Sequence, residues 1–127
     1  MTETDTTQRT ILIVEDDPAL RRLLQFGLRN EGYRVLIANQ GTEGQAILTQ
    51  ESVDLVLMDL MMPILDGQRF LIWLRQEVEL TLPAIVFTSV DSPEVLREIR
   101  ELGATEVLSK PSQLPEIVRR VKQHLPK

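Results

Sequence analysis

No cysteine occurs among the 127 residues. A disulfide frame, a thiolate metal site and a catalytic thiol are therefore excluded. Histidine occurs once, as His124. It stands near the end of a helical stretch, where a solvated, dipole-compatible residue is expected and no catalytic role is assigned. Long apolar runs are missing too: all fall far short of the roughly 20 residues that span a bilayer. Met1 to Thr10 carry no apolar core, so they are no secretory signal and read as a flexible tail. A soluble, cytoplasmic protein without membrane insertion is expected. Bases are outnumbered, 14 against 19 acids, for a formal charge of -5. That balance disfavours direct contact with nucleic acid. No repeat or low-complexity segment is visible.

What remains is an ordinary globular composition, 43% apolar, at a length that suits one domain. The pattern along it is an alternation of two periods. Ile11 to Val14, Arg34 to Ala38, Leu55 to Met58, Ala84 to Phe87 and Glu106 to Leu108 read as strands. Between them lie stretches with helical spacing. The first runs from Pro18 to Asn30, with Leu20, Leu23, Leu24 and Leu28 as its stripe and Asp17-Pro18 as its opening. Gly27 falls on that stripe, which implies close packing on the sheet. A weaker helix covers Thr42 to Gln50. A third, Gly67 to Glu77, turns Phe70, Leu71 and Leu74 inward and leaves Ile72 and Trp73 off the stripe, exposed or touching a partner. A fourth opens at Ser92-Pro93 and stops at Gly103. The last runs from Pro115 to His124. Five strands alternating with five helices predict a three-layer α/β/α sandwich with a parallel sheet. Periodicity alone does not order the strands.

The chemistry collects at strand ends. Glu15-Asp16-Asp17 follows the first strand, Asp59 the third, Thr88-Ser89 the fourth and Lys110 the fifth. In a parallel sheet these points share one edge, where open α/β sheets hold their ligands. Each piece has a bland reading: an acidic run is often a helix cap with solvated charge, and Thr88-Ser89 or Lys110-Pro111 alone suggests a turn. Asp59 is more telling, because it ends an unbroken apolar strand and carboxylates are rarely buried without a partner. Crowded carboxylates repel unless a cation joins them, and oxygen ligands without nearby histidine or cysteine favour Mg²⁺.

Taken in order, Val14-Glu15-Asp16-Asp17, Asp59 through Gly67, Phe87-Thr88-Ser89 and Gly103-Ala104 through Ser109-Lys110-Pro111 resemble the receiver domain of two-component response regulators. The similarity runs from Ile11 to about Leu125, within a receiver domain expected over 11–127. It implies a doubly wound, flavodoxin-like sheet of order 2-1-3-4-5. Asp59 matches the phosphoacceptor. Glu15 and Asp16 match the acidic pair that holds Mg²⁺ together with Asp59 and the backbone carbonyl of Met61. Thr88 matches the switch hydroxyl, Ser89 its small neighbour and Lys110 the phosphate-pairing lysine, followed by a cis peptide bond to Pro111. The implied activity is regulatory rather than that of a turnover enzyme. A sensor histidine kinase or histidine phosphotransfer protein supplies the phosphoryl group, and a downstream effector protein reads the result. A homodimer is possible in this family. The sequence stops after the last helix, as expected of a stand-alone receiver or the receiver part of a longer regulator.

The sequence also departs from the family. Val107 stands where many members carry an aromatic switch residue, and Ser112 where many carry phenylalanine. Gly44 replaces a more usual alanine. Met61 and Val90 occupy positions that tune phosphoryl lifetime, and neither side chain can orient water, so slow self-hydrolysis is expected. Other classes fit less well. A haloacid-dehalogenase-type phosphatase needs an aspartate at position 61. A flavin module needs a phosphate-cradling turn after the first strand. A scaffold that never takes phosphate has no reason to keep Glu15, Asp16, Asp59, Thr88 and Lys110 together.

Overall fold

Three runs without a polar interruption become the three central strands. In the computed structural model, which describes residues 8–60, 66–110 and 113–125, these are β1 (Thr10–Val14), β3 (Leu55–Asp59) and β4 (Ala84–Thr88). Every residue of the three is buried. The more polar β2 (Arg34–Ala38) and β5 (Glu106–Ser109) take the two edges. The sheet is parallel, in the order β2-β1-β3-β4-β5, as the family resemblance implies. The helices are α1 (Pro18–Asn30), α2 (Gly41–Gln50), α3 (Gly67–Ile72), α4 (Pro93–Glu101) and α5 (Leu114–His124).

Alternate side chains of each central strand enter opposite cores, as a sheet covered on both faces requires. Ile11, Ile13, Leu55, Leu57, Ile85 and Phe87 pack under α1 and α5. Leu12, Val14, Val56, Met58, Ala84 and Val86 pack under α2, α3 and α4. Each such fully buried aliphatic side chain contributes about 1.5–3 kcal/mol. The result is the expected three-layer α/β/α sandwich. Met61 to Leu65, Pro111 and Ser112 lie outside the described residues, as do Met1 to Thr7. The Met61 carbonyl and the Lys110-Pro111 bond are among the features that fall there.

Local chemistry sets the element ends. The Asp17 carboxylate caps α1 by accepting from the Ala19 N–H, with Pro18 in the first turn. Asp66 caps α3 and Ser92 caps α4 in the same way. Strand β1 opens at Thr10, one residue before the boundary expected for the tail, because the Thr10 N–H is held by Asp54 Oδ2 at 2.8 Å.

Four details differ from the expected pattern, and each has a local cause. Leu23 is about half exposed although it shares the α1 stripe; Leu24 and Leu28 carry the burial. Gly27 is kept small by α5 rather than by the sheet: a Cβ there would lie 2.8 Å from the Leu114 side chain. Trp73 is half-buried in the core, its ring 5.7 Å from that of Phe70. The helical stretch after Gly67 widens at Trp73–Glu77 into a π-helical turn, closed by Val78 N–H on the Trp73 carbonyl. Trp73 stands three residues past Phe70 on an α-helical turn, so the two rings share one side of the helix. His124, finally, is not a solvated residue. Its Nε2 meets Glu106 Oε2, and Arg120 binds the other oxygen of Glu106. These contacts fasten α5 to the edge strand.

Arg75 organises the far end of α4. Its guanidinium donates to the carbonyls of Gly103, Leu80 and Leu82 at 2.8–3.1 Å. Gly103 has φ +120, and a Cβ there would sit 2.5 Å from Arg75 Cγ, so only glycine suits both demands. Along α4 itself Ile99 alone is fully buried. The helix is thus fastened at its C-terminal end and lightly held near Thr88, the kind of element that moves at low cost.

Candidate functional site

Strand parity builds the site. Glu15 continues the Ile11, Ile13 face of β1, and Asp59 continues the Leu55, Leu57 face of β3. Lys110 stands two residues past Leu108 on that same face. All three therefore reach one rim at the carboxyl end of the sheet. Lys110 Nζ lies 3.0 Å from Asp59 Oδ2 and 3.7 Å from Glu15 Oε1. One ligand atom from each of Glu15, Asp16 and Asp59 falls within 4.8 Å of the others. Glu15 and Asp59 are buried, whereas Asp16 is exposed.

Glu15 shows what the cluster costs. Oε2 accepts the Asp17 N–H at 2.9 Å, and buried Oε1 has no hydrogen bond. The carboxyl group is pushed up to about 7. Burial is the main cause, and the Asp59 charge and the neighbouring Asp16 carboxyl add to it. The Asp17 N–H and the Lys110 ammonium oppose it. An under-satisfied carboxylate beside two others is a fitting place for a hard divalent cation: the donors are all oxygen, and one buried lone pair is unused.

Thr88 also arrives as expected, buried at the end of β4, but with the other parity, toward the α2–α4 side. Its Oγ1 accepts the Val90 N–H at 3.1 Å, while its carbonyl accepts the Lys110 N–H at 2.8 Å. Ser89 is exposed on the bend that follows. The rim thus joins three acids, one amine and a hydroxyl-bearing loop tied to that amine's backbone.

Residues 11–122 match the family described as the response regulator receiver domain. The chain belongs to that family. Solved receivers agree with it over nearly their whole length. Vibrio cholerae chemotaxis protein CheY4 is 26% identical, covers 92% of this chain and 98% of its own, and superposes with a TM-score of 0.86. A CheY-like receiver domain protein from Methanospirillum hungatei is 29% identical over 93% and 94%, with a TM-score of 0.87. A putative response regulator from Chloroflexus aurantiacus is 31% identical over 94% and 99%, with a TM-score of 0.85.

Within this receiver, two contacts at the rim were not anticipated from sequence. Arg21 Nη1 donates to the Glu15 carbonyl at 3.0 Å, so α1 steadies the backbone that presents the acids. The Lys110 ammonium also lies over the Phe87 ring, 4.9 Å from its centroid. Helical spacing would place Arg21 one turn from Asp17, but only the fold shows that its side chain turns back. The Phe87 contact needs the strand order, which periodicity does not supply. Among the described residues, no helix is long and apolar enough to cross a membrane.

Proposed function

We propose that this receiver is a phosphoacceptor switch of a two-component relay, taking a phosphoryl group onto Asp59. The observation that carries the reading is the Lys110 ammonium at 3.0 Å from the Asp59 carboxylate, with Glu15 and Asp16 clustered beside it. The donor in this reading is a phosphohistidine on a sensor kinase or phosphotransfer protein, as the family's role implies. An Asp59 oxygen forms the new P–O bond while the donor's P–N bond breaks. The electron pair stays on the imidazole nitrogen, which takes a proton from water. A carboxylate can serve as such a nucleophile when positioning and charge neutralisation are supplied. Lys110 supplies a mobile point charge that follows the phosphoryl oxygens. Glu15, Asp16 and Asp59 would hold Mg²⁺, with the Met61 carbonyl as the fourth protein ligand expected from the family. Bound there, the ion neutralises charge on the acids and on the phosphoryl oxygens.

The readout follows from Thr88. Its hydroxyl must release the Val90 N–H before it can turn to a new phosphoryl oxygen. Val107 is half-buried and aliphatic, so no aromatic flip relays the change. The signal then travels through the Ser89–Val90 bend to the lightly held start of α4, and the altered surface is offered to an effector protein.

Amide chemical shifts test this. On addition of beryllofluoride and Mg²⁺, Val90 and the first turn of α4 are expected to shift most, and Asp59→Asn is expected to remain silent. Shifts confined to residues outside Thr88 to Gly103, or equal shifts in the variant, would sink the switching reading.

A further inference from the structure

The lysine has to cross a strand to reach the acid, and an aromatic ring lies beneath that crossing. The strand order puts β4 between β3 and β5. Asp59 pairs in register with Phe87, and Phe87 with Leu108. Lys110, two residues on from Leu108, therefore extends over Phe87 toward Asp59. Its Nζ sits 4.9 Å from the ring centroid and only 3.0 Å from the carboxylate. The ring is 1% exposed and held in the α1–α5 core, so it cannot turn aside.

We infer that Phe87 is a positioning residue for the Lys110 ammonium. An aromatic face attracts a cation through its quadrupole, most strongly where water is scarce. It does so without offering a lone pair. The three N–H donors of the ammonium are thus left for the oxygens at the rim. A polar floor would take one of those donors, and an aliphatic floor would give no pull. The ring therefore keeps the charge low over the sheet and aimed at Asp59. It also allows the ammonium to slide from the carboxylate to a phosphoryl oxygen, because a face contact has little directional demand. The bland reading is that Phe87 is core and nothing more; a shape-preserving change separates the two.

The inference rests on Asp59 accepting a phosphoryl group, and the experiment keeps the two ideas apart. Phenylalanine, 4-fluoro-, 3,5-difluoro- and 3,4,5-trifluorophenylalanine are installed at position 87 of the full chain. Fluorine drains the ring face stepwise while leaving shape and burial nearly unchanged. Phosphoryl uptake from acetyl phosphate with Mg²⁺ is expected to fall in step with fluorine count. The trifluoro form should be about three- to thirtyfold slower at unchanged melting temperature. In the same samples, without donor or metal, the Lys110 ε-methylene protons are expected upfield from the ring current, a shift lost in Phe87→Leu. Equal rates across the series would overturn the inference while leaving the phosphoacceptor reading intact. So would ε-protons at ordinary positions in the native chain. Native protein that takes no phosphoryl group at all would overturn both that reading and the catalytic meaning of the ring contact.

Discussion

Lys110→Ala is expected to slow phosphoryl uptake from acetyl phosphate on the order of 10²-fold at saturating Mg²⁺. The ammonium is the one cation among the described residues that reaches both buried acids, at 3.0 Å from Asp59 and 3.7 Å from Glu15. Without it, the charge that gathers on the transferring group meets three carboxylates and no fixed amine. Divalent-cation affinity should not fall, because a competing cation has been removed. That combination, slow transfer with retained metal binding, separates loss of the amine from collapse of the acidic cluster. Lys110→Arg should rescue only in part, since a planar fork cannot track a moving oxygen as an ammonium does. Stopped-flow measurement of uptake reads the effect. A Lys110→Ala rate within a few-fold of the native rate would mean that the amine contributes little to the transfer.

The second large effect concerns stability rather than transfer. The Glu15 carboxyl is raised to about 7 from 4.5, chiefly by burial. An acid whose folded value lies above its unfolded one holds its proton more tightly when folded. The native state is therefore favoured below about pH 4.5, and that advantage drains away as pH rises through 7. In chelator at pH 8 the ionised group costs about 3 kcal/mol relative to its unfolded environment. Glu15→Gln keeps an oxygen for the Asp17 N–H and removes the charge. It should make the metal-free chain more stable by about 3 kcal/mol at pH 8, shrinking to about 1 kcal/mol at pH 5. Mg²⁺ should stabilise the native chain at pH 8 and help the variant less, because a ligand that binds the folded state shifts the equilibrium by mass action. Urea unfolding at the two pH values is the measurement. A gain equal at both, or absent at pH 8, would show that Glu15 ionises without strain.

Much of this architecture could be read from residue order alone. The runs Ile11 to Val14, Leu55 to Met58 and Ala84 to Phe87 have no polar interruption, which suits strands covered on both faces. They became the central strands of the sheet. Glu15, Asp59, Thr88 and Lys110 each stand at or just past the end of a strand, so a parallel sheet had to bring them to one edge. The strand order itself came from family resemblance, because periodicity says which face a residue occupies but not which strand lies beside it.

The same limit explains the features that only the fold revealed. Gly27 touches α5, its partner 87 residues further along the chain, and nothing in the α1 stripe names that partner. Trp73 packs beside Phe70, one helical turn back, because the buried face is wider than the stripe of Phe70, Leu71 and Leu74. Arg75 reaches three carbonyls contributed by two other segments. Glu106 and His124 meet across the edge of the sheet. In each case the sequence carries the group, and tertiary packing chooses its neighbour. The Phe87 ring beneath Lys110 belongs to this class too, which is why a strand residue adjoining Thr88 reads as core until the strands are put in order.

The most direct test of the account is the site of the label. The native chain is incubated with acetyl phosphate and Mg²⁺, reduced with borohydride to trap any acyl phosphate, and mapped by peptide mass spectrometry. The account predicts one trapped carboxyl group per chain, at Asp59, and none in Asp59→Asn. A trap at Asp16 or another acid in the native chain, or undiminished labelling of the variant, would contradict it.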